Sequence, residues 1–403
     1  MLMQDLGYRA PHPSEETEVC ARFGEKALPA EMPEAIGLIP AAVLHADPLI
    51  SYSGCRQDAP LGLASVAGRP LRDRAAWFLI SPTWTIEGED RARELRQLAM
   101  LHRARNPGHR LIFACNTQEE SDGLRAFGEA AFLHSHNAHV PEWIFKPLDG
   151  VAVEFDAVYN AQLVPWKRHE LSLGIESCAF LFHRGATLPT AAATEAAIIA
   201  RHTAAVPGHV FINRFDAHGK PARLSPSEVN TQLNRARVGL CLSEKEGAMF
   251  ASMEYLLAGL PVVSTPSIGG RDVYFDEEYC LVVPPDPRSI AEAVQALKVR
   301  GIPRTHIRER TLKRLENDRA RFIGLLNAIL EESGSDSRFS MPWPFAKPVT
   351  MEWLAVDEAV HRAAHGIVDG FEKKNKRRGF LLWRKWWPRL RARYGRARVV
   401  PKA

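Results

Sequence analysis

The fold is decided by residues 238–272, which read VGLCLSEKEGAMFASMEYLLAGLPVVSTPSIGGRD. The apolar run 238–242 predicts a buried strand, and the turn-forming residues 243–247 lead into a predicted helix over residues 248–258. Gly259 follows this helix, where a residue that tolerates positive φ is favoured, and Pro261 begins a second buried strand that covers residues 262–265. The stretch therefore predicts a strand, loop, helix and strand unit.

Two carboxylates mark this unit, Glu246 in the loop and Glu254 in the helix, eight residues apart. Eight residues of helix rise by roughly 12 Å, which is on the scale of a nucleotide sugar from its hexose to its ribose. Each carboxylate can accept hydrogen bonds from adjacent sugar hydroxyls. Gly247 has no Cβ, so a diphosphate could approach the N–H groups at the helix start, including that of Ala248. The alternative is an ordinary doubly wound unit with two solvated glutamates.

This stretch resembles the retaining GT-B glycosyltransferases of the "glycosyl transferases group 1" family. Their signature is Glu-x7-Glu with Gly after the first Glu, then a helix, a Gly-x-Pro-Val-Val strand and a Gly-Gly turn. The sequence has these in order, at Glu246-Gly247, at Glu254, at residues 259–263 and at Gly269-Gly270. The resemblance implies an α/β GT-B fold with two Rossmann-like domains facing a central cleft. It also implies that Glu246 contacts the transferred sugar and Glu254 the ribose, while Gly269 and Gly270 offer a second set of backbone donors.

The chain of 403 residues is long enough for two domains and an appendage, and its hydrophobic content of 46% is a globular value. Residues 134–148 resemble the end of the family's N-terminal domain, although Ala138 and Pro141 depart from its usual Gly and Asp. We predict four regions: an N-terminal acceptor domain (1–150), a nucleotide-sugar domain (151–335), a linker with a helix returning to the N-terminal domain (336–372) and a basic aromatic tail (373–403).

Helix and strand patterns alternate along most of the chain, which predicts parallel sheets covered by helices. The further predicted strands cover residues 76–80, 111–114, 130–133, 155–161, 178–182, 209–213 and 281–283. The further predicted helices cover residues 90–105, 119–127, 190–203, 225–236, 289–297, 308–332 and 351–371, the last being the returning helix. Prolines interrupt residues 1–70, which predicts irregular structure around one or two strands.

A phosphate loop is predicted after the strand at residues 155–161. In the family this strand ends in Gly-Arg and a Lys follows; here Lys167 matches the Lys, but Gln162 replaces the Arg. An ammonium group can stabilise a departing diphosphate, and Arg168 could assist. The alternative is a surface lysine at a helix start. Because a helix N-terminus disfavours cations, a local anion would explain the two clustered charges.

Other chemistry-bearing residues give weaker signals. His134 and His136 stand near the domain junction and could contact an acceptor, although a structural role is the alternative. The six cysteines are widely spaced without a C-x-x-C pair, which fits a reducing cytoplasm, and a lone catalytic cysteine stays open. Without an Asp-x-Asp, a nucleotide-binding G-x-G-x-x-G or an H-E-x-x-H motif, we expect no bound metal and no cofactor beyond the nucleotide sugar.

The tail concentrates the positive charge. Residues 373–403 hold 13 Lys plus Arg and no acidic residue, leaving 39 basic and 47 acidic residues in the first 372. Trp383, Trp387 and Tyr394 belong to an aromatic stripe at helical spacing, which favours the surface of an anionic membrane, although Pro388 would kink such a helix. The alternatives are a solvated disordered tail and nucleic-acid binding, which we do not expect. No transmembrane span or signal peptide is expected.

Together these features predict an enzyme that moves a sugar from a nucleotide-diphosphate donor to a hydroxyl of a lipid-linked or envelope glycan, with retention and without a metal. We expect it in the cytoplasm, attached peripherally to the inner face of the membrane. The alternatives are a GT-B nucleotide-sugar epimerase and a non-catalytic protein that binds a nucleotide sugar. The replacement of Arg by Gln162 is compatible with the second of these.

Overall fold

A computed structural model describes residues 1–23, 37–86, 88–184, 191–345 and 351–369. Within these residues the chain forms two six-stranded sheets covered by helices. The predicted tail, residues 373–403, lies outside the described residues. No helix in the described ranges combines the length and apolar character needed to cross a bilayer.

The first sheet has the strand order β12-β1-β2-β3-β4-β5. Strands β2 to β5 are parallel, whereas β1 runs antiparallel to both of its neighbours, β2 and β12. Its strands are β1 (Leu38–His45), β2 (Leu49–Cys55), β3 (Ala76–Pro82), β4 (His109–Cys115), β5 (Ala131–Leu133) and β12 (Glu352–Ala355). Its helices are α1 (Leu2–Asp5), α2 (Pro13–Phe23), α3 (Leu63–Leu71), α4 (Gly88–Arg105), α5 (Gln118–Ala126) and α11 (Val356–His365).

The second sheet is parallel throughout, with the order β11-β10-β9-β6-β7-β8. Its strands are β6 (Phe155–Asn160), β7 (Cys178–Leu181), β8 (His209–Phe211), β9 (Ala236–Cys241), β10 (Val262–Ser264) and β11 (Cys280–Val282). Its helices are α6 (Ala191–Ala205), α7 (Pro226–Asn234), α8 (Phe250–Leu257), α9 (Pro287–Arg300) and the first part of α10 (Arg304–Glu332). Two α/β layers with one sheet each confirm the GT-B fold class, while the exact domain boundaries stay a prediction.

The long helix α10 joins the two halves. Near its start, Ile307 and Leu315 pack in the core of the second sheet, and further along Phe322 and Leu326 pack in the core of the first. Arg319 on the same helix donates to the carbonyl oxygen of Ala138 at 2.9 Å, so it fixes the connection between the sheets. The chain therefore crosses back within α10, before the segment predicted to do so.

The prediction of a single helix over residues 351–371 is wrong at its start, and the helix that does form ends at His365, earlier than predicted. Residues Glu352–Ala355 form strand β12, which extends the first sheet by pairing with β1, and α11 follows from Val356. An open sheet edge offers backbone hydrogen bonds to a passing segment, and these outweigh a local helical pattern. Helix α11 then packs its buried Ala359 and Ala363 into the core of the first sheet, as the predicted return requires. Residues 370 and 371 lie outside the described residues.

Candidate functional site

A cleft of about 660 Å³ lies where the carboxyl ends of strands from both sheets face each other. Ligands bind at this end of open α/β sheets, because loops and helix starts meet there. The side formed by the second sheet carries all the charged lining residues and most of the polar ones, beside apolar residues such as Leu181, Phe182 and Met249. Its polar residues are Asn160, Gln162, Lys167, His183, Asn213, Arg223, Glu246 and Glu254. The side formed by the first sheet and β12 is largely apolar and includes Pro40, Pro82, Thr83, Trp84, His136, Met351 and Trp353. The cleft thus has two chemically different walls.

Glu246 lies in the loop that follows β9 and is only 5% exposed. Its Oε1 accepts from both the Lys167 ammonium and the Ser243 hydroxyl. Lys167 reaches it from the 3-10 turn Pro165–Lys167, which follows β6. The main-chain N–H of Glu246 donates to the carbonyl oxygen of Ile268 at 3.0 Å. The structure therefore holds the first predicted carboxylate and the predicted cation in direct contact at the cleft.

A buried arginine that was not predicted from the sequence supports this loop. Arg271 is 1% exposed and lies in the 3-10 turn Gly270–Asp272. Its Nη1 donates to the main-chain oxygen of Ser243 at 2.5 Å and lies 3.2 Å from the Ser243 hydroxyl, while Nη2 contacts the carbonyl oxygen of Thr265. Because Ser243 in turn donates to Glu246, Arg271 fixes the carboxylate through it. An arginine after a Gly-Gly pair carries no sequence signal for such a role.

Arg168 does not line the cleft, which corrects its prediction as a donor-binding residue. Its main chain is left-handed, with φ of 48°, and its side chain turns toward the ends of β9 and β10. There Nε donates to the carbonyl oxygen of Leu242 at 2.7 Å and Nη2 to the Thr265 hydroxyl at 2.8 Å. With both groups engaged, this guanidinium joins neighbouring strand ends and leaves Lys167 to face the cleft.

Glu254 lies in the second turn of α8 and also lines the cleft. Burial raises the pKa of its carboxyl group to about 7, and a hydrogen bond from Asn160 acts in the opposite direction. Asn160 Nδ2 donates to Glu254 Oε2 at 2.8 Å, and the main-chain N–H of Asn160 donates to the Tyr255 hydroxyl at 2.6 Å. Asn160, the last residue of β6, was not predicted; its position at a strand end was the available signal. The second carboxylate therefore titrates near neutral pH.

Gly247 and Gly270 allow close packing between loops, a role that was not predicted from the sequence. A methyl group at Gly247 would lie 2.6 Å from the carbonyl oxygen of Thr83, so the loop packs against the opposite wall. Gly270 donates its N–H to the Gly247 carbonyl oxygen at 2.7 Å, and neither Gly269 nor Gly270 lines the cleft. The engaged N–H corrects the prediction of Gly270 as a backbone donor for the substrate, while that of Gly269 stays a prediction. Gly247 and Ala248 do line the cleft.

Helix α8 begins at Phe250, two residues later than predicted. The residue before it, Met249, has a left-handed main chain with φ of 51°, which an L-residue adopts only at a cost. The Met249 carbonyl oxygen accepts from the Ser252 hydroxyl at 2.9 Å. Because the first N–H groups of a helix have no partner within it, the start of α8 presents donors beside Glu246 and Glu254.

Gln162 and the residues around it complete the polar wall. Gln162 lines the cleft, with Nε2 at 3.1 Å from Nε2 of His183. Burial lowers the pKa of His183, and the charges of Arg223 and Lys167 lower it further. Arg223 is exposed in the same wall. Trp166, also in this wall and 42% exposed, was missed although it stands beside Lys167.

The two predicted histidines take different positions. His136 lines the cleft, and its Nδ1 lies 3.3 Å from both the Tyr52 and the Ser81 hydroxyls. His134 is fully buried; it stacks on Phe322 at a ring distance of 4.1 Å and bonds His139 through Nε2 at 2.8 Å. Burial lowers the pKa of His134 to about 3 and that of His136 to about 4. His134 therefore cannot reach an acceptor, and the structural alternative applies to it.

Comparison with known proteins gives one family and several similar structures. Residues 213–298 match the family Glycosyl transferases group 1. Among curated proteins, no sequence matches this chain significantly. A sucrose-phosphate synthase from Thermosynechococcus elongatus is similar at a TM-score of 0.49 and 15% identity, over 63% of this chain and 68% of that one.

Two other solved structures are similar over larger shares of the chain. A glycosyltransferase from Rickettsia africae has a TM-score of 0.47 and 10% identity, over 82% of this chain and 84% of that one. The Anabaena protein HepE, in complex with UDP, has a TM-score of 0.44 and 12% identity, over 68% of this chain and 94% of that one.

Proposed function

We propose that the protein transfers a glycosyl group from a nucleotide-diphosphate sugar to a hydroxyl, on the premise that residues 213–298 match the glycosyl transferases group 1 family. One observation above the others supports this: Lys167, Glu246 and Glu254 line a single cleft. A nucleotide sugar needs a cation at its diphosphate and hydrogen-bond acceptors at its two sugar rings, and this wall offers all three.

The contact between Lys167 and Glu246 suggests how the donor is engaged. The diphosphate attracts the Lys167 ammonium and competes with the carboxylate for it. Glu246 then keeps its hydrogen bond from Ser243 and gains free acceptor capacity for hydroxyls of the transferred sugar. Glu254 accepts from the ribose at the other end of the donor. The donor thus rearranges an existing ion pair instead of entering a vacant charged site.

Transfer then proceeds with retention and without a metal. The bond from the sugar C1 to the phosphate oxygen breaks, and its electron pair stays on that oxygen, where Lys167 and the N–H groups near Gly247 stabilise the charge. The acceptor hydroxyl attacks C1 from the same face, and its proton passes to the departing phosphate oxygen. The acceptor lies between the two walls of the cleft, and we propose a lipid-linked or envelope glycan for it.

Thermal unfolding with UDP, GDP, ADP and dTDP, each free and with several sugars attached, tests the donor class. One nucleotide series should raise the melting temperature by binding the folded state, and its sugar form should be consumed when an acceptor is added. NMR of the product gives the anomeric configuration. Consumption without an added acceptor that yields a new nucleotide sugar would instead identify an epimerase, and binding without consumption a non-catalytic protein.

Donor affinity should increase as the pH rises through about 7, because ribose hydroxyls donate best to an ionised carboxylate and Glu254 has a pKa of about 7. Below that pH the protonated form is a weaker acceptor, so binding has to be accompanied by proton release. Isothermal titration with the nucleotide-diphosphate sugar between pH 6 and 8 should show a several-fold gain. Glu254→Gln should bind more weakly at high pH and lose this dependence. An unchanged pH profile in that variant would place the ribose elsewhere.

Residues 373–403 are proposed to attach the protein to an anionic membrane surface on the cytoplasmic side. Deleting them should leave the protein in the supernatant when it is sedimented with phosphatidylserine vesicles, whereas the full chain should pellet and be released by salt. The melting temperature of the remaining protein is the control for folding. Equal pelleting of both forms would contradict the assignment.

A further inference from the structure

The apolar wall of the cleft is a continuous surface built from distant parts of the chain. Pairing of β12 with β1 sets Trp353 directly opposite Pro40. Gly54 on the next strand leaves room for its neighbours, since a methyl group there would lie 2.7 Å from Thr83 Cγ2 and 2.8 Å from Pro40 Cγ. Trp84 follows Thr83 in the loop after β3. We call these four residues, Pro40, Thr83, Trp84 and Trp353, the tryptophan wall.

Both tryptophans of this wall are open to the cleft. Trp353 is 59% exposed and Trp84 is 46% exposed, and both line the cleft. The Arg56 guanidinium lies 5.3 Å from the centre of the Trp353 ring and is paired with Asp58. Exposed aromatic surface of this size is costly in water, so its concentration in a cleft indicates a ligand.

The tryptophan wall adjoins the proposed reaction centre. Gly247 packs against the Thr83 main chain, with the position of a methyl group 2.6 Å from the carbonyl oxygen and 3.4 Å from Trp84 Cα. Glu246 is the residue before Gly247 and contacts Lys167. A molecule that covers the wall therefore extends to the polar residues where a hydroxyl would be glycosylated.

We propose that the tryptophan wall is the acceptor subsite and that it binds an uncharged pyranose ring by its C–H face, an inference that rests on the proposed function. A pyranose has hydroxyls at its rim and C–H groups on its faces. The C–H groups are weakly positive and pack against the negative face of an indole ring. Among the described residues that line this side of the cleft, none is Asp, Glu, Lys or Arg, and the nearby Arg56 is already paired with Asp58, so the wall favours an uncharged ring.

A pyranose fits this position better than a hydrocarbon chain. A chain would cover the tryptophans but would offer nothing to Glu246 and Lys167 at the edge of the wall. A pyranose ring contacts both the tryptophans and the polar residues, because its rim hydroxyls face the Glu246 carboxylate while its C–H face covers an indole ring. In a lipid-linked acceptor, the terminal sugar would occupy this subsite.

Binding of methyl pyranosides to the full chain tests the proposal without relying on turnover. Saturation-transfer NMR with the methyl glycosides of glucose, galactose and mannose should detect at least one that binds. Its affinity should fall roughly tenfold in Trp353→Ala and in Trp84→Ala, which remove a stacking partner, and recover in Trp353→Phe. Trp143→Ala is the matched control, since Trp143 is 44% exposed, much as Trp84 is, but does not line the cleft. Its affinity should equal that of the parent.

The outcomes separate the subsite from the function. Absence of binding by every pyranoside, or equal binding in all four variants, overturns the subsite, as does displacement of the pyranoside by decanol together with tighter decanol binding. Donor consumption by the parent protein, measured separately, decides the proposed function. If the parent protein consumes donor but the tryptophan variants bind pyranosides as the parent does, the proposed function stands and the proposed subsite is wrong. If pyranosides bind at the tryptophan wall but the parent protein consumes no donor, the subsite stands and the proposed function is wrong.

Discussion

Replacing Glu246 by alanine is expected to abolish glycosyl transfer, with kcat falling by roughly 10³-fold, as when a charged or polar group at a reaction centre is removed. The carboxylate is buried and held from two sides, by Lys167 and by Ser243. Its removal leaves the transferred sugar without its main hydrogen-bond acceptor. It also leaves Lys167 free to bind phosphate more tightly, so donor affinity should change little while turnover is lost.

The fold should survive this change, because the Glu246 loop is held by its main chain and by Arg271. The melting temperature and the nucleotide-induced shift check this. Glu246→Gln keeps the shape of the side chain but should also be inactive, since an amide lacks the negative charge that pairs with Lys167 and accepts from Ser243. Glu244→Ala is the matched control: Glu244 is an exposed acid in the same loop and should be dispensable. Turnover near the parent level in Glu246→Ala would count against the assigned role.

The sequence predicts the second sheet well because its strands are short apolar runs bounded by turns. Strand β10 is an example, since residues 262–265 were expected and Val262–Ser264 form it. Strand β12 could not be predicted in this way. Its partner β1 lies about 300 residues earlier in the chain, and Trp353 fits the apolar spacing of the following helix. Only the sheet edge decides between strand and helix there.

The residues of the candidate site also differ in whether a local sequence motif could predict them. Glu246, Glu254 and Lys167 have local motifs, and the structure brings them to one cleft. Arg271 and Trp353 have no such motif, because their roles come from contacts between segments far apart in sequence. His134 and His136 differ by two residues and had equal sequence signals. His134 turns into the core and stacks on Phe322. The segment is too short for its hydrophobic periodicity to show which histidine is buried.

Gly269 supports the position of Glu246, and Gly269→Ala should therefore cause the largest loss of stability expected from a single added methyl group among the glycines that the structure describes. Its φ of 105° lies in a region that only glycine adopts readily. A methyl group there would also lie 1.7 Å from the Glu246 carbonyl oxygen, so the two loops must separate. Backbone strain and overpacking together should cost on the order of 3 kcal/mol or more.

Separation of these loops should also reduce transfer, because the displaced carbonyl belongs to the same residue as the proposed catalytic carboxylate. Melting temperature and kcat should fall together in Gly269→Ala, while Glu246→Ala should lower kcat alone. Gly301→Ala is the control for backbone strain: Gly301 also has positive φ, at 58°, but its nearest neighbour to an added methyl group is 3.8 Å away. That variant should lose about 1 kcal/mol and keep full activity. If Gly269→Ala melted and turned over like Gly301→Ala, contact with Gly269 would not be what holds Glu246 in place.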